Sequence, residues 1–464
     1  MKRITLVAVV ALLASSHTHA QDVRALGLGG ARAPGPGLST FNPAYSAYPP
    51  ESGRGAGFVL PLGLLNFLFN PQLNVIDFIT NTRAYADPGN PNAPEFNALA
   101  AFDQITHLNT LILNPVRAPR EINVNISGSS GVTLTDENGQ VISTSFSSNP
   151  GFQYASAYSA AGASPLVRVP FSVGPVSLGL GVFFYQRGPS VDVDTQLLVD
   201  IAAGGGRLPP NKTYPRAISA AGGVAAGITV DAGLAMPIAL PTATVYVGAR
   251  ATAFYGLANA EIVVNGALKT GSDGSLSSTQ PSYNYTTFLA LPGSGYGYGA
   301  NLDGGVATDI PGANFGVPSL EVLTLGVGIV GLVDFYRWEG QERTVYSDGT
   351  STTTPATRSS AGFDPVVTVN AAARFSFAGG VRVLALSDVQ FGRNQFSGHI
   401  GAEATIGLLQ LRGGLGVDGG LRFGLGASLE FAPNLGVDLA LTTHQAPFYA
   451  HTNFGIALAA RLGF

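Results

Sequence analysis

Across residues 397–464 apolar and polar positions alternate with a period of two. In the last run Phe454, Ile456, Leu458, Ala460, Leu462 and Phe464 share one face, and Asn453, Gly455, Ala457, Ala459, Arg461 and Gly463 share the other. Runs at 400–406, 409–417, 421–431 and 435–441 repeat the pattern. Such alternation predicts strands with one apolar face and one small or polar face. Residues directly opposite in an antiparallel pair must face the same way, which tests each turn. A two-residue turn at Gly407-Leu408 pairs Ile406 with Leu409 and Glu403 with Arg412. A three-residue loop at Asp418-Gly419-Gly420 pairs Val417 with Leu421, and Ala432-Pro433-Asn434 serves likewise, with Asn434 left-handed. The result is an antiparallel meander whose small and charged face is the inner one.

Further strands are expected at 54–62, 152–171, 176–201, 216–238, 242–265, 295–310, 320–338, 363–376 and 379–391, making fourteen with the five above. Counting back from Phe464 places short turns at one end and the long stretches 202–215, 266–294 and 339–362 at the other. Residues 121–148 form two alternating runs about Asp136-Glu137-Asn138-Gly139, read as an outer hairpin; if they enter the wall the count is sixteen. About 55 residues after the first strand do not read as strand. Asn74 to Arg83 is a candidate short helix. From Pro94, Phe96, Leu99, Phe102, Ile105, Leu108 and Ile112 recur at helical spacing. We expect a helical loop over the mouth, with a gating lid or a partner-binding platform as the sharper reading.

Composition turns this pattern into a fold class. Hydrophobic residues make up 45% and charged residues 11%. Yet after the start of the chain no run reaches the ~18 apolar residues that a membrane helix needs. Met1-Lys2-Arg3, an apolar stretch from Ile4 to Ala14 and Thr18-His19-Ala20 predict a signal peptide over 1–20, with maturation at Gln21. An exported, charge-poor chain of alternating strands points to a transmembrane antiparallel β-barrel in the bacterial outer membrane, in contact with its lipid, because closure satisfies every strand within lipid. A soluble β-sandwich or propeller would carry more surface charge. The whole-chain charge of −4 and the paucity of lysine exclude a nucleic-acid partner on electrostatic grounds. There is no cysteine, hence no disulfide framework. Aromatics at Phe183-Phe184-Tyr185, Phe254-Tyr255, Phe335-Tyr336-Trp338, Phe448-Tyr449 and Phe464 are placed in interfacial girdles.

Catalytic patterns are scarce. His107, His399, His444 and His451 show no zinc spacing, and no Walker lysine follows a glycine run. Asp192 and Asp194 share a strand face without a calcium loop. We therefore expect no enzyme, no cofactor and no metal. Parity instead sends Arg382, Asp388, Glu403, Arg412, Arg422, Glu430, Asp438 and Arg461 inward, where buried charges need partners. Asp22, Arg24 and Arg32 are offered as partners by an irregular Gly/Pro-rich stretch upstream.

That stretch carries a resemblance. Ala25 to Ala31, with Gly27, Gly29 and Gly30, is followed by Phe41-Asn42-Pro43-Ala44. His399-Ile400-Gly401-Ala402-Glu403, Leu411-Arg412-Gly413-Gly414-Leu415 and Phe423 to Ala427 complete the pattern, which covers about a quarter of the chain. Together these resemble the FadL/TodX superfamily of outer-membrane barrels and its PorV-like and TraF-like relatives. The resemblance implies that 21–53, with Asn42, Pro43 and Ala44, is a lumenal plug. It implies a barrel over 54–464 with a helical insertion at 63–120. It also implies passive transport of hydrophobic small molecules, such as long-chain fatty acids or aromatic hydrocarbons, with a side exit. Gly162, Pro165, Pro170 and Gly174 are the candidate kinks. The alternative is a structural barrel that binds envelope or secretion proteins, as PorV-like relatives do; an open diffusion porin is disfavoured by the plug.

Overall fold

The computed structural model describes residues 23–35, 38–48, 57–60, 62–73, parts of 97–117, 123–127, 131–142, 167–204, 207–274 and, with short breaks, 280–462. The signal peptide, Asp22, the helix at 74–83, Gly162, Pro165, Phe448 and Phe464 lie outside them.

A single large antiparallel sheet holds seventeen strands. In chain order these are β1 (Gly57–Leu60), β2 (Thr110–Ile112), β6 (Val167–Val173), β7 (Val176–Val193), β8 (Thr213–Ala239), β9 (Thr244–Lys269), β10 (Gln280–Ala290), β11 (Tyr296–Pro311), β12 (Leu320–Tyr346), β13 (Ser351–Gly362), β14 (Val366–Ser376), β15 (Arg382–Gly392), β16 (Gln395–Ile406), β17 (Leu409–Asp418), β18 (Leu421–Ala432), β19 (Leu435–Gln445) and β20 (Thr452–Leu462). A separate small sheet comprises β3 (Asn123–Ser127), β4 (Gly131–Thr135) and β5 (Val141–Ile142). The hairpin expected about Asp136–Gly139 is present as β4 and β5, and β3 adds a third strand beside β4. Among the described residues none of the three pairs with the large sheet.

Three pairs of strands in the large sheet are collinear pieces of one stave. β10 and β11 both pair with β9 and β12, end to end, around a break at 291–295. β13 and β14 share β12 in the same way. β1 and β2 share β20: Leu60 pairs with Leu458 and Thr110 with Ala457, adjacent positions on the partner. The described strands thus make fourteen staves. The helical insertion is an excursion from the middle of a stave that returns in register one residue further on, not a cap following a complete strand. The predicted helix does not reach Ile112, which is β-strand, and the first strand ends before Leu62–Phe69, which is helical. A broken ladder leaves backbone groups without partners, and Gln104 fills this role. Its amide donates to the carbonyls of Thr110 (2.7 Å) and His107 (3.1 Å), and its oxygen accepts from Asn66 (2.9 Å).

Burial is inverted relative to a water-soluble protein. On β18 Leu421, Phe423 and Leu425 are exposed, Leu425 to 63%, whereas Asp438 on β19 is 3% exposed. The apolar face looks outward and the polar face is enclosed, as the parity assignment requires. Glu403 pairs with Arg412, Ile406 with Leu409 and Val417 with Leu421. Gly407 adopts φ +59, which its turn needs. At the next turn Pro433 and Asn434 lie outside the described residues. Ala432 pairs directly with Leu435, so a register shift after Glu430, rather than a third loop residue, preserves parity there.

Strand length divides the sheet. β14 to β20 have 10–12 residues each, one membrane span. β8, β9 and β12 have 27, 26 and 27. At ~3.3 Å per residue they run far past a single span. The stretches 266–294 and 339–362, expected to be loops, hold the ends of β9 and β12 and the strands β10 and β13. The strand expected over 176–201 instead ends at Val193 and gives way to a helix, Thr195–Ala203, capped by Asp194.

Candidate functional site in the enclosed polar face

Residues 23–35 and 38–48 lie against the enclosed face of the sheet. Residues 23–27 are helical, and Pro43–Ala47 forms a short 3-10 helix. Val23 packs on Ala440, Ala457 and Ala459, while Leu28 and Ala31 pack on Ala372, Leu384 and Leu386. Tyr45 and Tyr48 meet Tyr246 and Ala307. One segment thus touches staves from β9 round to β20.

Close approach depends on glycines from both sides. Gly29 (φ +67) lies so near β17 that a Cβ there would come within 2.4 Å of the Gly414 carbonyl carbon. A Cβ on Gly414 would reach 1.9 Å from the Leu28 oxygen. Gly30 (φ +101) abuts the His399 ring, and Gly27 rests on Gly426. The Asn42-Pro43-Ala44 motif is a cap and a dock. The Asn42 oxygen accepts from the Ala44 amide (3.0 Å), starting the 3-10 turn, while its amide donates to the Val306 carbonyl (3.0 Å). Pro43 sits at the start of that turn, where its missing N–H costs nothing. Below the motif, Cβ atoms at Gly305, Gly328 and Gly248 would each fall within 2.4 Å of segment atoms.

Charges complete the attachment. Arg24 grips Glu403 with two hydrogen bonds of 2.8 and 2.9 Å. Glu403 also accepts from Arg412 (2.7 Å), Arg412 bonds Asp438 (3.0 Å), Asp438 forms an ion pair with Arg461 (2.8 Å) and Arg461 bonds Glu430 (2.7 Å). Gln410 and Ser428 brace this ladder. It alternates three cations with three carboxylates, so its charge cancels. Separately, Asp388 accepts from the Arg32 backbone amide (3.1 Å) and contacts His399 Nδ1 (2.8 Å). The Arg32 guanidinium itself stacks on Phe41.

Two predicted members stand apart. Arg382 lies on the same face as Asp388 but at the strand end, exposed, and Arg422 is half-buried outside the ladder. Two partners were missed. Arg250 bonds Asp303 (2.7 and 2.9 Å) and the carbonyls of Ser39 and Thr40. Asp309 accepts from Thr324 (2.6 Å) and Tyr48 (3.2 Å); burial pushes the Tyr48 phenol up to about 12, which keeps it a neutral donor. Parity within β9 and β11 carries both signals, since Arg250, Asp303 and Asp309 fall on inward positions.

The aromatics divide by face rather than gathering in one girdle. Tyr255, Tyr296, Tyr298 and Phe335 form an exposed stacked row. Phe183, Phe288 and Trp338 are instead buried together with Phe254 on the inner side. At the break between β10 and β11 a cavity of about 850 Å³ opens, lined by Tyr255, Leu257, Pro292, Tyr296, Arg337 and Glu339 among others. The indole of Trp338 lies directly beneath Gly256 and Gly297, so one layer of glycine backbone separates this cavity from the inner aromatic cluster. Of the kinks expected from sequence, Pro170 stays paired within β6 and Gly174 (φ +59) forms a turn.

The fold defines the class: an all-β antiparallel sheet, apolar outside and polar within. No family model matches the chain. No curated protein matches it either. Among solved structures it is similar to the Ralstonia pickettii toluene transporter TbuX (14% identity, 64% of this chain and 79% of that chain, TM-score 0.30). It is also similar to a TodX deltaS2S3 mutant monoaromatic hydrocarbon channel (9%, 63% and 92%, 0.26) and the beta domain of the Bordetella autotransporter BrkA (11%, 55% and 96%, 0.26). Likenesses of this size carry no argument about activity.

Proposed function

We propose that the chain is a closed fourteen-stave β-barrel of the bacterial outer membrane that passes hydrophobic small molecules, with residues 23–48 as its plug. Short turns face the periplasm and the tall staves face outward. The observation that supports passage is the wall break at 291–295. Outside it stand the membrane-facing tyrosines, and behind it lies an aromatic cluster of Phe183, Phe254, Phe288 and Trp338. Long-chain fatty acids and aromatic hydrocarbons fit such a route. The neutral charge ladder holds the plug and offers no field for steering ions.

The test is uptake of labelled fatty acid into liposomes by the intact protein and by Ser294→Trp, which fills the cavity from an exposed position. Uptake that falls in the variant supports the reading. Absence of uptake by the intact protein overturns it. Conductance appearing only after deletion of 22–50 supports the plug. A partner-binding barrel is the second reading, favoured by the extensions of β8, β9 and β12, whose outward side on β12 becomes polar at Arg337, Glu339, Gln341 and Arg343.

A further inference from the structure

Where the excursion 61–109 returns to the wall, Asp103, His107 and His444 converge. The Asp103 carboxylate is 1% exposed. It lies 3.2 Å from His107 Nδ1 and 3.0 and 3.1 Å from His444 Nε2. The two imidazoles are stacked with centroids 4.0 Å apart. Asn453 donates to the same carboxylate (2.6 Å). One donor atom from each of the aspartate and the two histidines lies within 4.8 Å of the others. We propose that this cluster binds a divalent transition cation of the zinc class, which clasps the excursion to β19 and β20.

Three arguments support it. The donor set, two imidazoles and a carboxylate, suits zinc among the common divalent ions. Ligand atoms ~2.0 Å from a tetrahedral centre stand ~3.3 Å apart, close to the separations of the aspartate from each histidine. Finally, Asn453 Oδ1 is buried and has no hydrogen-bond partner. Buried polar atoms in that condition are uncommon. An Asn453 amide flip would exchange its bond to Asp103 for an oxygen ligand at the fourth position, and water is the other occupant. The His107 Nδ1–H now shared with the Asp103 carbonyl (2.9 Å) is released where that nitrogen takes the cation. The sequence alone gave no spacing signal, because His444 lies 341 residues from Asp103 and only the in-register return of the excursion brings them together.

The experiment titrates zinc chloride calorimetrically into the full chain in detergent and records the visible absorption of cobalt as its substitute. Saturable binding of one zinc per chain is expected, with a cobalt spectrum of tetrahedral type that zinc abolishes. Asp103→Asn and His107→Ala each should weaken zinc binding on the order of 100-fold or more, since even second-sphere changes cost about 10–100-fold. His451→Ala should leave it unchanged. His107 is on the excursion and half-exposed, so its variant keeps the wall intact; heat-dependent gel mobility checks folding. Absence of saturable binding by the unmodified chain overturns the proposal. So does binding that survives both ligand substitutions.

Discussion

The attachment of the N-terminal segment is most sharply tested at Arg24 and Glu403. The pair is bidentate, and the two side chains are 11% and 4% exposed. Arg24→Met removes two charge-assisted bonds but leaves Glu403 its bond to Arg412, so the cost should be about 2–3 kcal/mol. Glu403→Gln strips both guanidiniums of their shared carboxylate and should cost about 3–5 kcal/mol. Once Glu403 is gone, Arg24 has less to lose. The double variant should therefore fall short of additivity by about 2 kcal/mol, roughly 30-fold in the docked-to-released ratio. Hydrogen exchange of peptides from 23–48, measured in detergent by mass spectrometry, reads that ratio directly. Single effects that add within ~0.5 kcal/mol would refute a direct coupling between segment and wall.

Other perturbations separate the remaining claims. Leu425→Arg should destabilise the barrel in vesicles by about 2–4 kcal/mol if this face meets lipid, whereas Leu408→Arg at a turn should cost about 0–1; equal costs in denaturant titration would contradict the lipid assignment. Gly414→Val drives a Cβ into the Leu28 carbonyl and should expose 23–48 to protease, while Gly413→Ala, whose Cβ would meet only Leu425 at 3.7 Å, should not. Asp200 accepts hydrogen bonds from Lys212, Tyr214 (2.6 Å) and Gln196 (2.8 Å), which lower its carboxyl from 3.8 to about 2. A lowered value stabilises above the ordinary one and is lost on acidification. Docking of the helix Thr195–Ala203 should hold down to about pH 4 and loosen toward pH 2 under pepsin, with Lys212→Met moving the onset upward.

The last seven strands were legible because each is short and keeps one unbroken apolar face. Period two then fixes register, and a one-residue slip would put Asp438 on the apolar outer face. Parity likewise identified Glu403 opposite Arg412. Beyond the membrane the rule loses its force. The outer face of β12 turns polar from Arg337, so Glu342, Arg343 and Thr344 alternate without a clear apolar face and read as loop. The aromatics failed for a related reason: Phe335 and Trp338 are three apart and so fall on opposite faces, yet composition alone assigns both to a girdle. The excursion was illegible because nothing local marks Leu60 and Thr110 as neighbours of consecutive residues on β20. The helix Leu62–Phe69 is almost wholly apolar and shows no period that would distinguish it from a continuing strand.

The division between short and tall staves bears on how such a barrel could open. Leu28, Gly29 and Arg24 contact β15 to β18 through glycine clearances and the ion ladder, so movement there must break several buried charged bonds at once. Ser39 to Tyr48 contact β9, β11, β12 and β14 through Arg250, a capped 3-10 turn and tyrosine hydroxyls, one of them on the Asp309 carboxylate. The junctions between β10 and β11 and between β13 and β14 border β12, as does the register shift between Leu302 and Gly304, while that between β1 and β2 borders β20. Interrupted ladders give up fewer hydrogen bonds when they deform. On the proposed function, a route through the break between β10 and β11 would not displace the charged anchor on the short-stave side. On that argument, weakening the Arg24–Glu403 pair should raise ionic conductance and leave uptake of apolar compounds little changed, while filling the cavity at Ser294 should do the reverse. If both substitutions altered both readouts together, the segment and the wall break would belong to one pathway, and the separation of anchor from route would be wrong.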